Sequence, residues 1–270
     1  MIKLIVTDLD GTLLDKNHQT NPEFWLMVKS LKADGITVAV ASGRQYYNII
    51  ETVAPIKDDV YILSENGSFC MYQNEAFLVT PLTKKECLEI YNTSLPIPKS
   101  YPVFCGTKAA YIEDNDPYLI NQLQYFMRKL EVVDHLMDVD DEIVKITIAN
   151  FEDAEKIVYP HYEPYINNYK IAIAGLTWVD VTSSIANKGN ALKTLQEKLD
   201  ISYDETMAFG DYLNDLEMMS AAKYSYAMKN ARPEIIKAAN FITEFDNNND
   251  GVFKTIQKTL LTKKESFNHE

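Results

Sequence analysis

The stretch LIVTDLDGTLL (Leu4–Leu14) places two carboxylates, Asp8 and Asp10, directly after an apolar, β-prone run. Residues Ile2–Thr7 are apolar on both faces of a strand, the pattern of the centre of a parallel sheet. A charge buried beside such a strand costs several kcal/mol, a large part of a domain's stability, unless a partner or metal compensates it. Two readings follow. Either the aspartates lie in a surface turn, where Asp and Gly serve local hydrogen bonds and positive φ, or a positive charge belongs between them.

Outward from this stretch, strands and helices alternate. Asn21-Pro22 predicts a capped helix running to about Ala33. Ile36–Ala41 predicts a second strand, followed by a helix from about Gln45, and Val60–Leu63 a third strand. Ser68–Val79 reads as a hairpin turning at Gln73-Asn74-Glu75. The middle of the chain has a different rhythm, with β-rich pieces at Tyr101–Cys105, Ala109–Ile112, Val144–Asn150, Lys170–Ala174 and Thr177–Val181 outnumbering helices near Tyr118–Leu130 and Asp153–Val158. Alternation then returns: helix Lys188–Leu199, strand Glu205–Phe209, helix Leu213–Ala222, strand Tyr224–Ala227, helix Pro233–Ala239 and a last helix over about Gly251–Leu261. The expected fold is α/β: a doubly wound, mostly parallel sheet from residues 1–82 and 185–270, with an α+β domain inserted at 83–184.

Composition narrows the function. The 270 residues are 46% hydrophobic and 24% charged, ordinary globular values, and the formal net charge of −13 argues against nucleic acid or an anionic membrane as partner. An anionic substrate would need a locally positive site. Cys70, Cys87 and Cys105 are odd in number and contain no CxxC, so buried reduced thiols are expected rather than disulfides or zinc. The N-terminal apolar run is too short for a signal peptide and no stretch of eighteen apolar residues occurs, so a cytoplasmic protein is expected.

In open α/β sheets ligands bind beyond the carboxyl ends of the strands. The loops there are DLDGT (Asp8–Thr12), SGR (Ser42–Arg44), SENGS (Ser64–Ser68), NKGNAL (Asn187–Leu192) and GDYLND (Gly210–Asp215). Each alone has a bland explanation as a turn or a helix cap. Their joint convergence of carboxylates, hydroxyls, amides and one lysine on a single sheet edge points to a site.

The set DLDGTLL, ASGR, NKGNAL and GDYLND resembles the four motifs of the haloacid dehalogenase-like superfamily, in its magnesium-dependent phosphatase branch. The insertion is similar to the cap of the Cof-type sugar-phosphate phosphatases. The resemblance implies Asp8 as a nucleophile that forms an aspartyl-phosphate, and Asp10 as the acid for the leaving alkoxide, then the base for water. It assigns Mg2+ to the Asp8 carboxylate, the Asp10 backbone carbonyl and the Asp211 carboxylate, with Asp215 steering the shell. It assigns the phosphate to Ser42, Gly43, Lys188 and Asn214. Two positions depart from the pattern: Ile185-Ala186-Asn187 stands where Gly-Val-Ser/Asn is common, and Tyr212 where a small residue is common.

The implied activity is hydrolysis of small soluble phosphate monoesters by a cytoplasmic chain that partners neither nucleic acid nor membrane and is expected to be a monomer. A phosphomutase would use the same acids, but its cap must hold a second phosphate, and between 83 and 184 Arg128 is the only arginine. A non-catalytic phosphosugar-binding protein is disfavoured by retention of every acid and of Lys188. A DxD glycosyltransferase would not need Ser42, Lys188 and Asp211.

Overall fold

The first apolar run forms β1 (Leu4–Asp8), buried at every residue. The computed structural model describes residues 1–174 and 176–267. After β1 come α1 (Pro22–Ala33), β2 (Thr37–Ala41), α2 (Tyr46–Thr52) and β3 (Val60–Ser64). Asn21 caps α1 by accepting from the Glu23 amide at 3.0 Å, with Pro22 at the first helical position. The predicted hairpin forms from β4 (Phe69–Tyr72) and β5 (Glu75–Val79), with Gln73 (φ 47°) and Asn74 (φ 67°) both left-handed in the turn.

The middle of the chain builds a second sheet. Its elements are α3 (Lys84–Ser94), β6 (Tyr101–Gly106), β7 (Ala110–Ile112), α4 (Pro117–Phe126), β8 (Leu130–Val132), β9 (Ile143–Ala149), α5 (Ala154–Ile157), α6 (Tyr159–Tyr162), β10 (Tyr169–Ile173) and β11 (Trp178–Ser183). The last part contains α7 (Lys188–Leu199), β12 (Thr206–Gly210), α8 (Leu216–Ser220), β13 (Tyr224–Ala227), α9 (Pro233–Ala238), β14 (Phe241–Ile242) and α10 (Gly251–Phe267).

The first sheet has the order β14-β13-β12-β1-β2-β3-β4-β5, parallel from β14 to β3 and antiparallel through the hairpin. Alternation along β1 decides its two faces. Ile5 packs with Val28, Ile49 and Ile256 beneath α1, α2 and α10, whereas Leu4 and Val6 pack with Leu192, Leu195, Met218 and Ile235 beneath α7, α8 and α9. The doubly wound fold is therefore as expected. The chain leaves β1 toward β2 on one side and returns to β12 on the other, so strand order reverses at β1. Asp8 ends β1 and Gly210 ends β12, which sets both at that crevice.

The second sheet has the order β10-β11-β9-β6-β7-β8 and is antiparallel except for the parallel pair β7–β8. That pair corrects the expected helix over Tyr118–Leu130. The helix stops at Phe126 because Met127 turns extended (φ −129°, ψ 91°), and Leu130–Val132 returns beside β7. Likewise the helix expected over Leu213–Ala222 is split into a 3-10 turn at Leu213–Asp215 and α8, because the Asp215 side chain turns back onto the loop before it. Among the described residues no helix is long and apolar enough to cross a membrane, and Cys70, Cys87 and Cys105 are free and buried.

Candidate active site

The five loops meet at the crevice. Lys188, the first residue of α7, is fully buried and donates from Nζ to Asp8 Oδ1 at 2.6 Å and to Asp215 Oδ1 at 2.7 Å. Asp8, Asp211 and Asp215 each bring a carboxylate oxygen within 4.8 Å of the others. Thr12 Oγ1 donates to Asp211 Oδ1 at 2.9 Å, and Asp215 Oδ2 accepts from the Asp211 and Tyr212 amides at 3.0 and 3.2 Å. Gly11 is left-handed (φ 79°), and a β-carbon there would collide with Asp211 Oδ2. The DGT turn and the GD turn therefore fit only against each other.

The electrostatics follow from burial. Burial raises the Asp8 carboxyl well above its usual range; Lys188 opposes that rise, and Asp215 and Asp211 add to it. Asp211 is pushed up to about 6, by burial first and then by Asp215. Burial alone would lower the Lys188 ammonium, but Asp215 and Asp8 hold it above its usual value. Three carboxylates face one ammonium, leaving two negative charges uncompensated when all three acids are ionised.

Asp10 is the exception to the convergence. Its carboxylate is 44% exposed and turned away from the acidic trio, bonded to the Arg44 guanidinium (Nε to Oδ2 2.6 Å) with His18 Nδ1 at 3.4 Å. Arg44 is tied in turn to Thr52 Oγ1 at 3.3 Å. The resemblance gives Asp10 the role of acid; here its carboxylate is held in a bidentate ion pair with Arg44.

The remaining expected residues line the same crevice. Ser42 is buried, its hydroxyl accepting from the Arg44 amide at 3.2 Å. Gly43 has Asn66 Oδ1 3.0 Å from where its β-carbon would stand, so the amide of Asn66 lies over the Ser42-Gly43 turn. Asn214 Nδ2 donates to that same Asn66 oxygen at 2.9 Å. Asn187 caps α7, accepting from the Asn190 amide at 2.7 Å, so Ile185-Ala186-Asn187 still delivers a proper helix start. Tyr212 is half-exposed and held by Arg232, whose guanidinium lies 5.2 Å from its ring centre.

Several residues escaped the sequence reading. Asn66 (φ 55°) carried only the signal of a common Asn-Gly turn, and Thr12 only its place inside DGT. Glu65, Lys145 and Asp180 form a buried ion cluster between the two sheets: Lys145 Nζ is 2.6 Å from Glu65 Oε2, 3.4 Å from Asp180 Oδ2, and donates to the Gly43 carbonyl at 3.2 Å. The available signal was alternation in VKITIAN, which sets Lys145 and Thr147 on one face of an otherwise apolar strand.

A family model for haloacid dehalogenase-like hydrolases matches residues 5–256. The chain belongs to that family. It is 29% identical over 262 residues to the 5-amino-6-(5-phospho-D-ribitylamino)uracil phosphatase YbjI of Escherichia coli, covering 96% of each chain. It is 27% identical over 292 residues to phosphatase YwpJ of Bacillus subtilis, covering 96% of this chain and all (100%) of that one. Its fold superposes on a haloacid dehalogenase-like hydrolase from B. subtilis with a TM-score of 0.80 at 26% identity, covering 93% and 97% of the two chains. It matches SMU.1108c from Streptococcus mutans at 0.84 and 26%, covering 97% and 100%. This haloacid dehalogenase-like hydrolase thus shares the length and architecture of family members named as phosphatases.

Proposed function

We propose that this chain is a magnesium-dependent phosphatase that hydrolyses small phosphate monoesters through an aspartyl-phosphate on Asp8. The observation that carries the reading is the trio Asp8, Asp211 and Asp215, two of them bonded to the buried Lys188, which leaves a deficit of two positive charges when all three acids are ionised. A set of hard carboxylate oxygens with that deficit suits a divalent, oxygen-seeking cation, and Mg2+ fits it. Asp8, Asp211 and Asp215, with the Asp10 carbonyl, are the groups that would hold it. When bound, such an ion neutralises phosphoryl oxygens and lowers the repulsion between an anionic substrate and an anionic nucleophile.

The protein's own groups account for the rest. Lys188 orients Asp8 by its bond to Oδ1 and presents its ammonium, with the free amides at the start of α7, to the phosphate. Ser42, Gly43 and Asn214 complete the cradle. Asp8 attacks phosphorus in line, and the ester oxygen leaves with a proton from Asp10. Reaching it requires Asp10 to exchange Arg44 for the leaving oxygen, a side-chain rotation within an exposed pair. Asp10 then takes a proton from the water that cleaves the acyl phosphate.

Phosphatase is favoured over mutase by the state of the cap cations. Arg128 is paired with Glu51 at 2.8 Å and Lys170 with Glu217 at 2.6 Å, and Lys145 is shared between Glu65 and Asp180. The test is phosphate release from p-nitrophenyl phosphate and a panel of phosphorylated metabolites, with Mg2+ and then with EDTA. No release from any ester with Mg2+ present would overturn the proposal.

A further inference from the structure

Three successive carbonyls at the Ser42-Gly43 turn each accept from a different donor. Ser42 takes the Asn66 amide at 3.0 Å, Arg44 the Glu65 amide at 3.1 Å, and Gly43, between them, Lys145 Nζ at 3.2 Å. The first two donors belong to the loop after β3; the third reaches across from β9 of the inserted domain. A trans peptide sets its N–H opposite to its C=O, so whatever fixes the Gly43 carbonyl also fixes the Arg44 amide. That amide donates to Ser42 Oγ at 3.2 Å. The path is continuous, from Lys145 Nζ through the Gly43–Arg44 peptide to the Ser42 hydroxyl.

Such a chain has a direction. An ammonium on the carbonyl polarises the peptide and strengthens its N–H as a donor, since hydrogen bonds in series reinforce one another at low dielectric. A hydroxyl that accepts from that N–H keeps its own proton to donate. Ser42 is buried at the crevice, and the oxygens of a phosphate dianion are acceptors only.

Several contacts place that ammonium. Lys145 is buried, which alone would lower its ammonium, but Asp180 and Glu65 hold it well above its usual value. Glu65 Oε2 lies 2.6 Å from Nζ yet, among the described residues, meets no donor at a hydrogen-bonding angle, so the directed bond of the ammonium goes to Gly43. Glu65 and Asn66 are both left-handed (φ 50° and 55°), a conformation that costs non-glycine residues and persists where the surroundings fix it. The inserted domain also grips the next residue of the turn. The Gln45 side-chain amide pairs with the Lys129 carbonyl and amide at 3.1 and 3.2 Å.

We propose that Lys145 is a positioning residue for the phosphate group, acting through the Gly43–Arg44 peptide to hold the Ser42 hydroxyl as its donor. The proposal rests on the phosphatase reading above. It ties phosphate affinity to a side chain of the inserted domain, and it does so for every ester alike. Ser42 and Lys145 then act as one unit rather than as two.

The test is a double-variant cycle on the affinity for inorganic phosphate, measured by titration calorimetry with Mg2+ present. Ser42→Ala and Lys145→Met should each weaken it about tenfold, and the double variant also about tenfold rather than about a hundredfold. In Lys145→Met, KM for p-nitrophenyl phosphate should rise by the same factor with kcat within about threefold, as for a contact made equally in ground and transition states. A merely structural role, or a plain attraction of the ammonium for the anion, acts whether or not residue 42 carries a hydroxyl, so the two losses would multiply. Should Lys145→Met, with Glu65 and Asp180 left uncompensated, fail to fold, the cycle is run with Lys145→Met/Glu65→Gln/Asp180→Asn in its place. Losses that multiply overturn the proposal, and so does either single variant that binds phosphate as tightly as wild type. A wild-type protein that neither binds phosphate nor releases it from any ester, p-nitrophenyl phosphate included, fails the phosphatase reading itself and this inference with it.

Discussion

Lys188→Met tests whether one ammonium holds the acidic centre together. The side chain is fully buried and bonds Asp8 at 2.6 Å and Asp215 at 2.7 Å, and methionine of similar length removes only the charge. Breaking a buried pair by deleting one partner costs about 3–5 kcal/mol, because the other charge stays buried alone. For a chain of this size each kcal/mol moves Tm by about 2–4 °C, so the metal-free variant should melt roughly 6–20 °C below wild type at pH 8. The sign with pH is fixed by Asp8. Its carboxyl is already raised in the folded state by burial, and it rises further without Lys188. A folded-state pKa above the unfolded one, about 3.9, costs stability at high pH; the cost shrinks once pH drops below the folded value and is gone below the unfolded one. The gap in Tm should therefore narrow steadily from pH 8 toward pH 4.5. Differential scanning calorimetry of both proteins in EDTA, at half-unit pH steps, measures it. A gap under about 2 °C at pH 8, or one of equal size at pH 5, would refute the reasoning.

Asp211→Asn should stabilise the metal-free protein at pH 8, by at most about 3 kcal/mol, and converge with wild type by pH 4, since the lost carboxyl sits at about 6 when folded; lower stability at pH 8 would contradict this. The same variant should need far more Mg2+ for half-maximal activity, read from a magnesium titration. Gly11→Ala puts a side chain at φ 79° and against Asp211, and should cost about 1–3 kcal/mol in urea denaturation while weakening metal binding at least about tenfold by calorimetric titration. Asp10→Asn should slow the cleavage step about 10²–10⁴-fold for a sugar phosphate and far less for p-nitrophenyl phosphate, whose leaving group needs no proton; equal losses in single-turnover bursts would strip Asp10 of its acid role.

Much of the first sheet was legible because its strands are apolar on both faces and its turns carry Pro, Gly and Asn at positions with a mechanism. Asn21-Pro22 and Gln73-Asn74 are examples, each dictated by local backbone geometry. Three of the loops that meet at the crevice were legible for a topological reason: parallel strands deliver all their carboxyl ends to one edge, so DLDGT, SGR and GDYLND had to converge once the alternation was recognised, whereas NKGNAL follows β11 of the second sheet and was legible as a motif at the start of a helix. What escaped depends on contacts distant in sequence. Strand β8 is three residues long and exists only because β7 accepts it in parallel. The Asp10 side chain turns to Arg44, 34 residues away, and no local preference foretells which carboxylate a guanidinium will choose. The ion cluster of Glu65, Lys145 and Asp180 joins three segments whose charges, read along the chain, look like ordinary surface residues.

The central claim is that Asp8 is the nucleophile, and stereochemistry at phosphorus tests it most directly. Two in-line displacements, first by Asp8 and then by water, each invert the phosphorus centre, so the account predicts net retention. A single direct attack by water, with Asp8 serving only as ligand or base, gives net inversion. Hydrolysis of a monoester carrying an isotopically chiral thiophosphate, with the configuration of the released thiophosphate read by NMR, distinguishes the two. Retention is the predicted result; inversion would contradict the account.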